Sequence, residues 1–251
     1  MMDRSAIETA ARALAEAWRS GRRLATLPEG TRPQNVDDAH AIQDATVAAL
    51  GEKIVGWKVS VVDGVVNRGA LLASRTLRSP ARMRVADVPM LGVEAEIAFR
   101  LDHELPPRET PYTTEEIAAC TTALAAIEVV DTRFANYADT PVIDRLADFV
   151  SNGGFVAGTV RPDWRTIDLA ALKATLLING QTVVERVGGH IRGDPIIPAI
   201  ALINALRAQG IAKDRVITTG TFTGLYLAKP GDRVEARFEG FGSVEVIFDT
   251  D

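Results

Sequence analysis

Two glutamates stand two residues apart in GVEAEIAF, at Glu94 and Glu96. On a β-strand, residues at that spacing project from one face, about 7 Å apart along the chain. Carboxylates so placed can share one hard cation such as Mg²⁺ or Mn²⁺, which prefers oxygen ligands. The same spacing suits a solvated strand face, and by itself it does not choose. Glu128 adds weight to the first reading. It interrupts the apolar run AAIEVVD, and a carboxylate buried there without a partner is costly. A cation or a salt bridge would remove that cost. Lys58, between Trp57 and Val59 in IVGWKVS, is the second candidate. It either snorkels to solvent or lines a cavity, where desolvation would lower its pKa and equip it for proton transfer.

His190 and Arg192 share the Gly-rich segment VGGHIRGDP. That loop can close over a site, with Arg192 binding a carboxylate; an exposed loop is the alternative. His40 falls in an expected surface helix and His103 in a polar loop, which suits structural or exposed positions. No G-x-S-x-G, Walker A or G-x-G-x-x-G pattern occurs. Serine-hydrolase, P-loop and classical dinucleotide chemistries therefore have no support.

Strands must hold these groups. Val93, Ala95, Ile97 and Phe99 alternate with the two glutamates, and Val55, Trp57 and Val59 alternate around Lys58. Ser5 with Glu8 has the capping-box pattern for a helix that runs to Gly21, and a second helix is expected from about Asp37 to Leu50. Thr113 with Glu116 caps a third, expected to reach about Leu124, before a short strand at IEVV. Asn179-Gly180 marks a hairpin between ATLLI and QTVVERV. Asp194-Pro195 opens a helix ending near Gln209-Gly210, and RVITTG, RVEARFEG and SVEVIFD supply further strands. Strands outnumber helices without regular alternation, which argues against a doubly wound sheet. The expected fold is α+β: residues 1–53 form a helical segment, and residues 54–251 a β-rich, metal-binding catalytic core of mixed β-roll or barrel-like form.

The chain has 251 residues, 47% of them hydrophobic and 24% charged, so it can bury a sizeable core. Its net charge is −5 with no basic block, which makes nucleic acid or an anionic membrane a poor partner. The single Cys120 excludes an internal disulfide framework and a multi-cysteine metal site. The N-terminal MMDRSAIETAAR does not read as a signal peptide, and no run approaches the ~20 apolar residues of a membrane span. A cytoplasmic location is expected.

The motifs GWKVS, GVEAEIAFRLDHELP, AAIEVVDTR, DRLADFVSNGG, DRVITTGTFTG and KPGDRVEARFEGFGSVEVIF occur in this order. The ordered set resembles that of the 2-keto-4-pentenoate hydratases and 4-oxalocrotonate decarboxylases, within the fumarylacetoacetate hydrolase superfamily. The resemblance spans Gly56 to Phe248. It implies a divalent ion, Mg²⁺ or Mn²⁺, on Glu94, Glu96 and Glu128, with Lys58 as the proton handler. It also places Ser151 and Thr221 at the substrate, and implies a homo-oligomer.

Departures from the family pattern bear on the reaction. GWKV is followed here by Ser60, Val61, Val62 and Asp63 rather than G-L-T-S. The family's P-D-F-G, with its acidic active-site residue, corresponds to VVNRGAL, which puts Asn67 at the catalytic carboxylate's position unless Asp63 takes that role. The family's A-D-N is A-D-F, with Phe149 in place of a polar side chain. The implied activity is hydration of a 2-hydroxy-2,4-dienoate to a 4-hydroxy-2-oxo acid in aromatic catabolism. Decarboxylation of a 2-oxo-enedioate at the same metal is the first rival, and a ligand-binding or scaffold homologue without turnover the second.

Overall fold

The computed structural model describes residues 2–62 and 64–250. Asp63 therefore lies outside the described residues. Helix α1 (Arg4–Ser20) and helix α2 (Val36–Leu50) come first, each closed by a glycine in the left-handed region, Gly21 at φ 72° and Gly51 at φ 71°. The cap of α1 differs from the expected Ser5–Glu8 box. The Asp3 side chain accepts from the Ser5 amide at 3.0 Å, while Glu8 pairs with Arg4 at 2.8 Å one turn back. Asn35 caps α2 through the Asp38 amide.

The strands are β1 (Ile54–Val62), β2 (Val65–Leu72), β3 (Thr76–Arg78), β4 (Ala81–Arg84), β5 (Gly92–Leu101), β6 (Thr121–Val130) and β7 (Asn152–Arg161). They continue with β8 (Lys173–Ile178), β9 (Gln181–Val187), β10 (Val216–Thr221), β11 (Tyr226–Leu227), β12 (Arg233–Phe238) and β13 (Gly242–Asp249). Helices α3 (Thr114–Ala119), α4 (Val142–Ala147) and α5 (Ile196–Leu206) complete the set. The larger sheet runs β2-β1-β10-β5-β6-β7-β3, with β11 pairing the start of β5, and the smaller runs β4-β13-β12-β8-β9. The fold is α+β, as the sequence implied.

Strand alternation sorts the core. On one face of the larger sheet, Val93, Ala95, Ile97 and Phe99 of β5 and Ala123, Ala125, Ile127 and Val129 of β6 pack against the smaller sheet and α5. The opposite face carries Ala98, Leu124, Ala126 and Phe155 together with the three glutamates. Both faces are thus covered, and all ten residues of β6 are buried. This explains the second departure. The capping box of Thr113 and Glu116 forms, but α3 ends at Ala119 instead of near Leu124, because Thr121–Val130 is a central strand. An apolar run buried on both faces shows neither the helical nor the strand period.

The hairpin forms at Asn179 (φ 53°) and Gly180 (φ 78°), both left-handed as its two-residue turn requires. Helix α5 stops at Leu206, short of Gln209-Gly210; Asp194 stands at its start and accepts from the Ile196 amide at 3.0 Å. Among the described residues no helix is long and apolar enough to cross a membrane.

Candidate metal centre

Strands β5 and β6 run antiparallel with Glu94 directly opposite Glu128, and Glu96 follows two residues along. Cross-strand partners share a face, so the three carboxylates meet, with one oxygen from each within 4.8 Å of the others. Glu96 and Glu128 are 1% and 0% exposed, which rules out a solvated strand face for them.

Lys58 arrives from β1, separated from β6 by β10 and β5. In a flat sheet three inter-strand steps would span about 14 Å. The sheet curls instead, and Lys58 Nζ lies 2.7 Å from Glu128 Oε1, with a second bond to the Val150 carbonyl at 3.1 Å. Of the two readings open for Lys58, the interior one holds. Its pKa does not fall as expected from burial alone. Burial pulls it down, but attraction by Glu128, Glu94 and Glu96 outweighs that and raises it. Lys58 therefore stands protonated beside the carboxylates.

The other contacts leave the cluster incomplete. Glu96 Oε2 accepts from Gly220 N at 3.1 Å and from the Thr218 hydroxyl. Glu128 Oε1 also accepts from Asn152 Nδ2 at 3.0 Å. Glu96 Oε1 and Glu128 Oε2 are buried with no hydrogen-bond partner among the described residues. Such orphaned oxygens are rare in a folded interior. Burial, then repulsion from neighbouring carboxylates, pushes Glu96 up to about 8. Glu94 rises to about 7 by burial, with Lys58 opposing and Glu128 reinforcing. Three carboxylates and one ammonium leave two uncompensated negative charges when ionised, which matches one divalent cation. The donor set, all oxygen and rich in charge, fits a hard ion.

A strained segment completes the wall. Phe149, Val150 and Ser151 have φ of 55°, 54° and 59°. Left-handed backbone is unfavourable for non-glycine residues and most of all for β-branched Val150. Arg133 brackets the segment, donating to the Asp148 carbonyl at 3.0 Å and the Asn152 carbonyl at 2.9 Å while pairing with the Asp148 carboxylate. Gly69 makes room on the other side, since a Cβ there would sit 2.2 Å from the Phe149 oxygen. The result aims the Val150 carbonyl at Lys58. The Phe149 ring turns away and packs edge-to-face on Trp18 at 5.6 Å.

The remaining sequence-predicted residues divide. Asn67 pairs across strands with Ser60, on the face that carries Lys58. Asn67, Ser60, Val150 and Ser151 line a cavity of about 470 Å³, which Val150 links to the centre through its carbonyl bond to Lys58. The Asn67 amide makes one weak bond, to Val65 O at 3.5 Å. Thr221 pairs in register with Glu96, but its hydroxyl caps its own turn, accepting from Thr223 N at 3.1 Å and Gly224 N at 2.9 Å. His190 is buried, its ring on Phe222 and its Nε2 3.1 Å from the Thr219 carbonyl, and burial lowers its pKa. It braces β10, whose Thr218 and Gly220 donate to Glu96, and its own hydrogen bonds among the described residues go to the backbone. Arg192 is exposed on the same loop, away from the cavity lining. Sequence reasoning missed Thr218, Asn152 and the Val150 carbonyl; Asn152 alone carried a signal, a buried-type position in the VSNGG motif beside Ser151.

No protein-family model matches the chain. It is 32% identical over 262 residues to a 2-keto-4-pentenoate hydratase of Paraburkholderia phymatum, covering 99% of both chains. The chain belongs to the 2-keto-4-pentenoate hydratase family. A 4-oxalocrotonate decarboxylase of Pseudomonas putida is 28% identical over 214 residues, covering 79% of this chain and 78% of its own. The fold agrees. The structure of 4-oxalocrotonate decarboxylase from Pseudomonas putida G7, complexed with magnesium and adipate, superposes with a TM-score of 0.86 at 22% identity, covering 99% of each chain.

Proposed function

We propose that this chain is a divalent-metal-dependent hydratase, which adds water to a 2-hydroxy-2,4-dienoate to give a 4-hydroxy-2-oxo acid. Glu94, Glu96 and Glu128 hold the metal, Mg²⁺ or Mn²⁺, and Lys58 handles the proton. The observation that carries the reading is the pair of orphaned oxygens, on Glu96 and Glu128, inside a three-carboxylate cluster. A bound divalent ion supplies Lewis-acid stabilisation of the negative charge that develops on the substrate's 2-oxygen.

The protein's own groups supply the rest. Lys58 holds a proton at Nζ, oriented by Glu128 and the Val150 carbonyl. It delivers that proton to C5 of the dienol as the 2-hydroxyl proton leaves, which gives the 2-oxo-3-ene. Water then adds its oxygen at C4 and a proton at C3, so one water is consumed in all. Ser151 and Asn67 face the substrate from the cavity wall, and Thr221 shapes the turn beside Glu96.

One observation favours a second reaction. Among the described residues no Asp or Glu lines the cavity, and Asn67, an amide that cannot serve as a base, stands on its wall. Decarboxylation of a 2-oxo-enedioate uses the same enolate stabilisation and needs no activated water. Turnover of 2-hydroxydienoates and 2-oxo-enedioates with Mg²⁺ or Mn²⁺, read by mass spectrometry, separates the two. Gain of one water supports hydration, loss of CO₂ supports decarboxylation, and no product with either metal refutes both.

A further inference from the structure

The cavity lined by Val150, whose carbonyl accepts from Lys58, has one charged side chain among the described residues of its wall, Arg145. Most of the lining is apolar, from Val36, Val65, Val142, Ile143, Leu146 and Val150, and among the described residues none of it is acidic. Arg145 is half-buried on α4 and forms no ion pair with any described residue, while its neighbour Asp144 is already taken by Arg32 at 3.0 Å. Its guanidinium lies over the Tyr137 ring, 4.8 Å from the centroid. That cation–π contact anchors the guanidinium and leaves its N–H groups for a ligand. Lys58 does not compete for the same anion, because Glu128 already engages it.

The geometry points to Arg145 as a specificity-determining residue that holds a carboxylate at the far end of the substrate. The preferred substrate is then a diacid rather than a dienoate ending in methyl or hydrogen. This rests on the reading that the carboxylate cluster takes the 2-oxo acid end. Ser60 stands two residues from Lys58 on the same strand face, about 7 Å along it, so the cavity opens where the substrate's tail leaves the centre. A planar guanidinium matches a carboxylate with two parallel hydrogen bonds, which an apolar tail would leave unmade.

Calorimetry with two saturated probes tests this without turnover, using the full chain with Mg²⁺ present: 2-oxohexanedioate and 2-oxohexanoate. The wild type is expected to bind the diacid about tenfold to a hundredfold more tightly. Arg145→Gln should erase that preference and Arg145→Lys should retain part of it, with thermal midpoints unchanged. Equal affinities in the wild type, an undiminished preference in Arg145→Gln, or no binding of either probe overturns the inference. The reaction is read separately on the unsaturated panel. If no member turns over but Arg145-dependent discrimination persists, the proposed reaction fails and this inference stands. If dienoates turn over without discrimination between probes, the reverse holds.

Discussion

Replacing Lys58 with Met keeps the unbranched side chain out to Cε and removes its charge, which isolates the ion pair at the heart of the centre. Lys58 Nζ and Glu128 Oε1 are 2.7 Å apart, with the carboxylate fully buried. At an effective dielectric of about 20 their gross attraction is about 6 kcal/mol. Desolvation offsets much of that, but removing one partner strands the other, at a net cost of about 3–5 kcal/mol. Protonation of the cluster relieves some of the strain, so the low end, about 3 kcal/mol, is expected in the metal-free protein. For a chain of this size that lowers the thermal midpoint by roughly 6–12 °C. A divalent cation should then stabilise the variant at least as strongly as the wild type, since it no longer competes with an ammonium for Glu128. A cation at a hundred times its Kd adds about 2.7 kcal/mol. The assay is thermal unfolding with EDTA and with Mn²⁺, alongside turnover. A metal-free Lys58→Met protein as stable as the wild type would refute the reasoning, as would loss of the Mn²⁺ response.

Raised carboxylate pKa values reverse the usual acid dependence. Glu94 and Glu96 bind protons more tightly folded than unfolded, from an ordinary value of 4.5 up to about 7 and about 8. Their contribution therefore favours the fold at low pH and is lost as pH rises between 4.5 and about 8; urea unfolding in EDTA should show a falling stability that Glu96→Gln flattens. Gly69→Ala places a Cβ 2.2 Å from the Phe149 oxygen, which should cost about 1–3 kcal/mol and slow turnover by moving the Val150 carbonyl off Lys58; unchanged kinetics would mean that segment does not orient the lysine. Asn67→Asp should raise hydration by up to about 10²-fold if water activation lacks a base, and equal rates would place the base elsewhere.

Much of this site could be read from spacing because its parts are local. Glu94 and Glu96 share a strand face by alternation alone, and the Asn179-Gly180 turn announces itself by residue type. The role of Lys58 could not be resolved, because its partner Glu128 is 70 positions on and three strands away, joined only by the curl of the sheet. Its pKa direction went astray for the same reason: burial was foreseen and the three attracting carboxylates were not weighed against it. The run Thr121–Val130 hid its strand because burial on both faces removes the periodic signal. Three consecutive left-handed residues at 149–151 have no sequence mark, since none is a glycine; Arg133 and the missing Cβ of Gly69 hold them there. His190 in a Gly-rich loop suggested a mobile lid, whereas its ring is packed on Phe222 and tied to Thr219.

Everything proposed for the chemistry depends on one cation sitting among three glutamates. Crystals grown with Mn²⁺, with its anomalous scattering recorded, test that most directly. The account predicts a single strong peak bonded to oxygens of Glu94, Glu96 and Glu128 at roughly 2.0–2.6 Å, the range for hard cations on oxygen, with Lys58 Nζ close by. A peak elsewhere, or none while Lys58 stays paired with Glu128 and the other two carboxylates stand apart, would contradict it.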